Sequence, residues 1–115
     1  MLKELFGNNT IEKIFFYLLQ NQTCYGAELS KIFDVPVSSI QKGLERLEYG
    51  GILVSIMVGK TRVYQFNPRW PFLNEFKAFL EKAYSSLPEE FHKKYYRRPV
   101  RKRPRCKGKP LSYIT

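Results

Sequence analysis

The sequence predicts a mainly α-helical domain with one small β-hairpin, and three observations lead to that prediction. Apolar residues recur at helical spacing in several separate stretches, and prolines or glycines punctuate those stretches. One segment is instead rich in branched and aromatic residues and is divided by Gly59-Lys60. The chain has 115 residues, which is enough for one compact core. We therefore expect one domain over residues 1–87 and a segment of different character over residues 88–115.

Two helices open the predicted domain. The first is indicated by apolar residues three and four positions apart, which are Ile11, Ile14, Phe15, Leu18 and Leu19. Asn9, with Glu12 three residues later, resembles a capping box, and the helix is expected to end near Asn21. The second, shorter helix spans Gly26 to Phe33. Asp34-Val35-Pro36 ends it, because proline restricts the residue before it and cannot continue a helix.

The third predicted helix covers residues 37–49 and has two different sides. At about 100° per residue, Ile40, Leu44 and Leu47 fall in one narrow arc. The opposite side carries a set of mostly polar residues, which are Ser38, Lys42, Glu45, Arg46 and Tyr49. Gly50-Gly51 ends the helix, because glycine tolerates the left-handed cap conformation. The pattern predicts a helix that packs along one arc and presents a polar face outward.

A two-stranded hairpin and a further helix complete the predicted domain. A glycine at the first position of a two-residue loop suits a type II′ turn at Gly59-Lys60. This turn pairs Val58 with Thr61, Ile56 with Val63, and Leu53 with Phe66. The next helix is expected from about Trp70, with an apolar stripe of Phe72, Leu73, Phe76, Phe79, Leu80 and Ala83. A short last helix is expected from Pro88.

The positive charge of the chain is concentrated at one end. The net charge is +10, yet residues 1–90 contain ten Lys or Arg and ten Asp or Glu, which cancel. Residues 91–115 contain ten cations and no acid, and three prolines there argue against regular structure. A neutral body with a cationic segment suits a polyanionic partner. The residues expected to bind phosphates are Arg97, Arg98, Arg101, Lys102, Arg103 and Arg105.

Composition argues against several other classes of protein. Cys24 and Cys106 are far apart and have no CxxC spacing, so we expect neither a disulfide framework nor a metal site. His92 is the only histidine and has no plausible nucleophile as a partner, and no phosphate loop occurs, so we expect no enzyme and no cofactor. The apolar stretches fall short of a membrane span and the N-terminus has no secretory pattern. A cytoplasmic location without membrane contact is therefore expected.

The order of the predicted elements is that of a winged helix-turn-helix domain, with a three-helix core, a two-stranded wing and a C-terminal helix. The chain also resembles the helix-turn-helix of ArsR-like and MarR-like transcriptional regulators, in the stretch "AELSKIFDVPVSSIQKGLERLEYGGIL". It is similar to the wing and following helix of ArsR-like members in "GKTRVYQFNPRWPFLNEFKAFLEKAY", so the resemblance spans roughly residues 5–85. Pro36 departs from the family pattern, which usually has a Ser or Thr cap there, and Ser38 is the expected substitute.

The outward face of the third helix is the predicted DNA-reading surface. The major groove of B-DNA admits one α-helix, and residues near the N-terminus of that helix read the bases. The predicted readers are Ser38, Ser39, Gln41, Lys42 and Arg46. Among these, Lys42 could reach guanine or a phosphate, and Arg46 is placed for contact with the backbone or a base. At the hairpin tip, over residues 58–62, the predicted contacts to the backbone or the minor groove are Lys60, Thr61 and Arg62. An ordinary solvated helix face and solubilising turn residues are the alternative interpretation of both sets.

The aromatic stripe beyond the hairpin predicts an interface between two copies of the chain. A body of this size needs less apolar surface than the sequence supplies, and surplus apolar surface is typical of an interface. The predicted interface residues are Phe72, Phe76, Phe79 and Leu80. The family resemblance likewise implies dimerisation through the first and last helices, and a two-fold dimer reads an inverted repeat of duplex DNA. The cysteine pairs by which some ArsR-like regulators sense metals are absent.

Two other functions remain open from the residues alone. The tail contains tyrosines among its cations, which leaves RNA or a ribonucleoprotein as a possible partner. Alternatively, the wing and the aromatic helix could hold a protein partner, such as an adjacent toxin or nucleotidyltransferase.

Overall fold

The computed structural model describes residues 2–88 and has the winged-helix order of elements predicted from the sequence. The predicted short helix beyond Pro88 and the basic segment, including its six predicted phosphate-binding arginines and lysines, lie outside the described residues. The helices are α1 (Lys3–Phe6), α2 (Asn9–Asn21), α3 (Gly26–Phe33), α4 (Val37–Tyr49) and α5 (Leu73–Ser85). The strands are β1 (Thr23–Cys24), β2 (Leu53–Val58) and β3 (Thr61–Phe66).

The cap of α2 differs from the predicted one by a single residue. Asn8, not Asn9, has the extended N-cap conformation, and its side chain accepts a 2.8 Å hydrogen bond from the Ile11 N–H. Glu12 does not complete a capping box; its buried carboxylate accepts a 2.7 Å hydrogen bond from the Leu2 N–H. Glu12 therefore helps to attach the N-terminal segment to α2, and that segment contains the short helix α1, which the sequence analysis did not predict.

The helix-turn-helix of α3 and α4 has the predicted bounds. Asp34 ends α3 in the left-handed conformation, with a φ of 56°, and the Ser30 hydroxyl donates to the Val35 carbonyl across the turn. At Pro36 the next helix starts without a side-chain cap, so the prediction that Ser38 supplies one is wrong. Instead, the Pro36 carbonyl accepts from the N–H groups of Ser39 and Ile40.

The paired glycines after α4 form a Schellman motif. Gly51 has a φ of +82°, its N–H donates to the Glu48 carbonyl, and the Ile52 N–H donates to the Leu47 carbonyl. The chain therefore turns sharply from α4 into β2. As a result, the hairpin begins directly beside the end of α4, and backbone hydrogen bonds fix this turn.

The hairpin has the predicted register. Val58 pairs with Thr61, Ile56 with Val63, and Leu53 with Phe66. Gly59 has a φ of +64°, as the first position of a type II′ turn requires. The prediction missed β1, which pairs with β3 and makes a three-stranded antiparallel sheet in the order β1-β3-β2.

One core lies between the helices and the inner face of the sheet. Gly43 of α4 lies against α2 so closely that a Cβ atom there would be 3.1 Å from Ile14 Cδ1. The last helix, α5, begins at Leu73, three residues later than predicted, and packs on α2. Leu80 is completely buried in this single-chain core, together with Ile14 and Leu44. Leu80 therefore offers no exposed surface to a second copy of the chain.

Candidate nucleic-acid interface

Helix α4 has one buried side and one exposed side, as the periodicity predicts. Ile40, Gly43, Leu44 and Leu47 are buried. The predicted readers Ser38, Ser39, Lys42 and Arg46 are all exposed, and Glu45 and Tyr49 share this exposed side. The start of the helix is also exposed, because Val37 packs only partly. The helix has thirteen residues, and its exposed polar face has the form that a major groove admits.

Gln41 differs from the other predicted readers, because its side chain points along the protein towards the wing. Its Nε2 donates to the Tyr64 hydroxyl at 3.2 Å and lies 3.4 Å from Glu45 Oε2. On the other side of the amide, a Cβ atom added at Gly26 would lie 3.0 Å from Gln41 Oε1. The structure therefore places Gln41 as a half-buried link between α4, α3 and β3, with its amide already engaged.

The two flanks of α4 carry opposite charge. Lys42 and Arg46 lie on the flank next to the start of α2, whereas Glu48 lies on the flank next to the wing. Glu48 Oε2 accepts from the Ser55 hydroxyl at 2.7 Å, and the same Ser55 oxygen accepts from Arg62 Nη1 at 2.9 Å. The negative charge of Glu48 is thus partly offset by the positive charge of Arg62, and the Ser55 hydroxyl bridges the two groups.

The wing tip presents polar and apolar groups together. Lys60 and Thr61, two of the predicted wing contacts, are exposed at the turn. Arg62, the third, is exposed but is held along the inner face of the hairpin by Ser55. Ile56 and Val58 are exposed on the outer face of the same hairpin. Lys60 is therefore the wing cation that remains free to extend away from the body.

Tyr64 was not identified from the sequence, yet it connects the two halves of the candidate interface. The ring is buried under α4, and its hydroxyl accepts from Gln41. Burial raises the pKa of the Tyr64 hydroxyl; Gln41 opposes that shift, and the Glu48 carboxylate adds to it. No sequence pattern shows which helical residue meets its hydroxyl.

A groove separates the cationic flank of α4 from the beginning of α2. Its volume is about 290 Å³, and it is lined by Asn8, Thr10, Ile11, Ser39, Lys42, Gly43 and Arg46. We call it the α2–α4 groove. Ser39, Lys42 and Arg46 were predicted to share one surface. No sequence pattern indicates that Asn8 and Thr10 lie opposite them.

The aromatic stripe is divided between the core and the surface. Phe76 is half-buried and contacts the rings of Phe6, Phe15, Phe66, Trp70 and Phe79 at centroid distances between 4.8 and 6.5 Å. Phe72 and Phe79 remain 62% and 42% exposed. Of the four predicted interface residues, the structure therefore leaves only Phe72 and Phe79 with a large exposed area.

Within residues 2–88, no three His, Cys, Asp or Glu side chains are grouped so that they could hold a metal ion. None of the helices described here has the length and apolar character needed to cross a bilayer.

Comparison with known proteins identifies the fold. The chain is similar to a mutant of ZitR from Lactococcus lactis in its apo form, with a TM-score of 0.51 and 18% sequence identity. The match covers 78% of this chain and 73% of that chain. No protein-family model matches the chain, and no curated protein sequence matches it. The similarity confirms the winged-helix fold that the order of elements predicted.

Proposed function

We propose that this chain is a sequence-specific double-stranded DNA-binding protein that regulates transcription. The observation that carries the proposal is the exposed polar face of α4, which lies beside the wing. A regulator of this fold inserts such a helix into the major groove and lets the wing contact the adjacent backbone or minor groove. The similarity to a winged-helix regulator supports this class of function.

Within α4, base readout is assigned to the residues that point furthest outward. Ser38 is short and close to the helix N-terminus, which lets the backbone approach the base edges. Glu45 can accept a hydrogen bond from a cytosine amino group, and its neighbour Gln41 already donates towards its carboxylate. Tyr49 is 96% exposed and can pack against sugar or a thymine methyl group. Lys60 at the wing tip supplies a contact to the DNA backbone.

A two-fold homodimer is the second part of the proposal. Phe72 and Phe79 present exposed aromatic surface at the beginning and the middle of α5. Leu5 of α1 is also 65% exposed, and α1 joins the same aromatic cluster through the contact of Phe6 with Phe76. If these surfaces pair two copies about a two-fold axis, the two α4 helices read symmetric half-sites, and the preferred DNA site is an inverted repeat.

The basic segment is proposed to add affinity without specificity. It carries the ten-cation excess of residues 91–115, and cations that bind phosphates release counterions whatever the DNA sequence is. Deletion of residues 97–115 should therefore weaken binding to all duplexes and flatten its salt dependence, while the preferred sequence stays the same. If the deletion instead abolishes duplex binding completely, while the full chain binds RNA, the RNA alternative is favoured.

The experiment that tests the proposal is a selection of binding sites from randomised duplexes with the full-length chain. The expected result is an enriched inverted repeat. Variants Ser38→Ala and Glu45→Ala should change the base preference at specific positions, because these residues face outward. A matched control is Lys82→Ala, which alters an exposed residue of α5 and should leave the preferred sequence unchanged. Absence of any enriched sequence would overturn the proposal.

A further inference from the structure

The α2–α4 groove has the composition of a site for an anion. One wall carries Lys42, Arg46 and Ser39 from α4, and the other wall carries Thr10 and Asn8 from the start of α2. Its floor is Ile11 and Gly43. The two helices approach closely at this floor, because a Cβ atom at Gly43 would lie 3.1 Å from Ile14 Cδ1 and 3.7 Å from Thr10 Cγ2.

The cations of the groove are not neutralised inside the protein. Neither the Lys42 nor the Arg46 side chain has an ion-pair or hydrogen-bond partner among residues 2–88, and no carboxylate is part of the lining. The acidic side chains of α4 engage elsewhere, since Glu48 accepts from Ser55 and Glu45 lies next to Gln41. Two free cations and two hydroxyls therefore converge on one concave surface.

We infer that the α2–α4 groove binds a phosphate of the DNA backbone. An arginine presents a planar fork of donors to phosphate oxygens, and a lysine adds a compact point charge. The hydroxyls of Thr10 and Ser39 complete a set of donors from two helices. The positive end of the dipole of α2 faces the same space and adds to the attraction. This inference rests on the proposed function, because it specifies which part of the duplex these residues meet.

The assignment changes the role of Lys42 and Arg46. From the sequence, both were predicted readers for which contact to a base and contact to the DNA backbone remained open; in the groove they position the duplex and carry no sequence information of their own. A phosphate seated there would fix the angle at which α4 lies in the major groove, since it would touch both α2 and α4. Removal of the two side chains should then weaken binding about equally for every DNA sequence.

The first experiment measures salt dependence. Binding of the full-length chain to a random-sequence duplex and to the selected duplex is measured by fluorescence anisotropy over a range of salt concentrations. The Lys42→Ala/Arg46→Ala variant should reduce the slope of log K against log salt by about 1 to 2, and the ratio of the two affinities should stay within about twofold. The control Arg69→Ala/Lys82→Ala removes two exposed cations outside the groove and should leave the slope nearly unchanged.

The second experiment does not depend on DNA binding. Inorganic phosphate is titrated into the isotope-labelled chain, and amide resonances are followed by NMR. Phosphate should shift the amides of Thr10, Ser39 and Gly43, and these shifts should disappear in the Lys42→Ala/Arg46→Ala variant but persist in the control. Missing shifts in the wild-type chain, or equal shifts in the variant, would overturn the site whether or not any duplex binds.

A change in base preference would also count against the inference. If the Lys42→Ala/Arg46→Ala variant selects a different DNA sequence, then these side chains read bases and the groove is not a backbone site. If instead the wild-type chain binds no duplex while phosphate still shifts the groove amides, the site survives and the proposed function fails. Thermal unfolding of both double variants confirms that they fold, which is expected because all four side chains are exposed.

Discussion

The Ser55 hydroxyl lies 2.7 Å from Glu48 Oε2 and so connects the wing to α4. The same oxygen accepts from Arg62 Nη1 at 2.9 Å, which makes Ser55 a bridge between a carboxylate and a guanidinium. A hydroxyl can serve both groups because it has one proton to donate and lone pairs to accept with. The wing is thus attached to α4 by side chains as well as by the Schellman turn at Gly51.

Ser55→Ala should loosen this attachment. The substitution removes the bridging oxygen and leaves Glu48 and Arg62 to interact with water, so we expect the free energy of unfolding to fall by about 1 kcal/mol. Urea unfolding monitored by circular dichroism gives the measurement, and Thr61→Ala is the control at an exposed wing position. A double-mutant cycle with Arg62→Ala should show coupling between the two positions; strict additivity would mean that the Arg62–Ser55 hydrogen bond contributes nothing.

Tyr64 should make stability depend on alkaline pH. Burial holds the pKa of its hydroxyl above the ordinary value of about 10, so the folded chain retains this proton where the unfolded chain loses it. The resulting stability is fully present below about pH 10 and is lost as the pH rises through the folded-state pKa. Tyr64→Phe should reduce the fall in the free energy of unfolding between about pH 9 and pH 11.

The control for that experiment is another tyrosine. Tyr49 is 96% exposed, and Tyr49→Phe should leave the alkaline fall in unfolding free energy as it is in the wild type. Tyr64→Phe should also cost roughly 1 kcal/mol near neutral pH, because Gln41 loses the acceptor for its Nε2. Identical alkaline profiles for the wild type and Tyr64→Phe would show that the burial of this hydroxyl has no effect on its ionisation.

The sequence predicted those features that depend on local patterns. The bounds of α3 and α4 and the hairpin register followed from periodicity, from the proline and glycine breaks and from the loop length. It did not predict α1 or β1, because four and two residues are too few to show a period. The direction of Gln41 was missed for a different reason. Its position on α4 is polar, but its hydrogen bond depends on Tyr64, which lies 23 residues later.

Substitution by alanine should affect the stability of the chain differently at the two glycines after α4. Gly51 has a φ of +82°, where a Cβ atom is strained, so Gly51→Ala should lower the free energy of unfolding by about 1 to 2 kcal/mol. Gly50 has a φ of −79°, and an added Cβ atom would meet its nearest atom, the Arg46 carbonyl oxygen, at 3.6 Å. Gly50→Ala should therefore be neutral or slightly stabilising. Thermal unfolding of both variants checks this, and equal losses would contradict the Schellman assignment.

Neighbouring residues of α5 should separate assembly from folding. Phe79 is 42% exposed and Leu80 is completely buried, although they are adjacent in the chain. Leu80→Ala should lower the free energy of unfolding by about 2 to 5 kcal/mol, because it leaves a cavity in the core. Phe72→Ser/Phe79→Ser should instead raise the dissociation constant of the dimer by about tenfold or more, if aromatic surface carries the interface.

Analytical ultracentrifugation over a range of concentrations measures this assembly, with unfolding experiments on the same variants. Met57→Ser is the matched control, because Met57 is an exposed apolar residue of the wing at 53% and should leave the dimer intact. A wild-type chain that stays monomeric at micromolar concentration would remove the dimer from the proposal. In that case Phe72 and Phe79 would face water or a different partner. The preferred DNA site would then be a single half-site instead of an inverted repeat, because one α4 helix reads only one half-site.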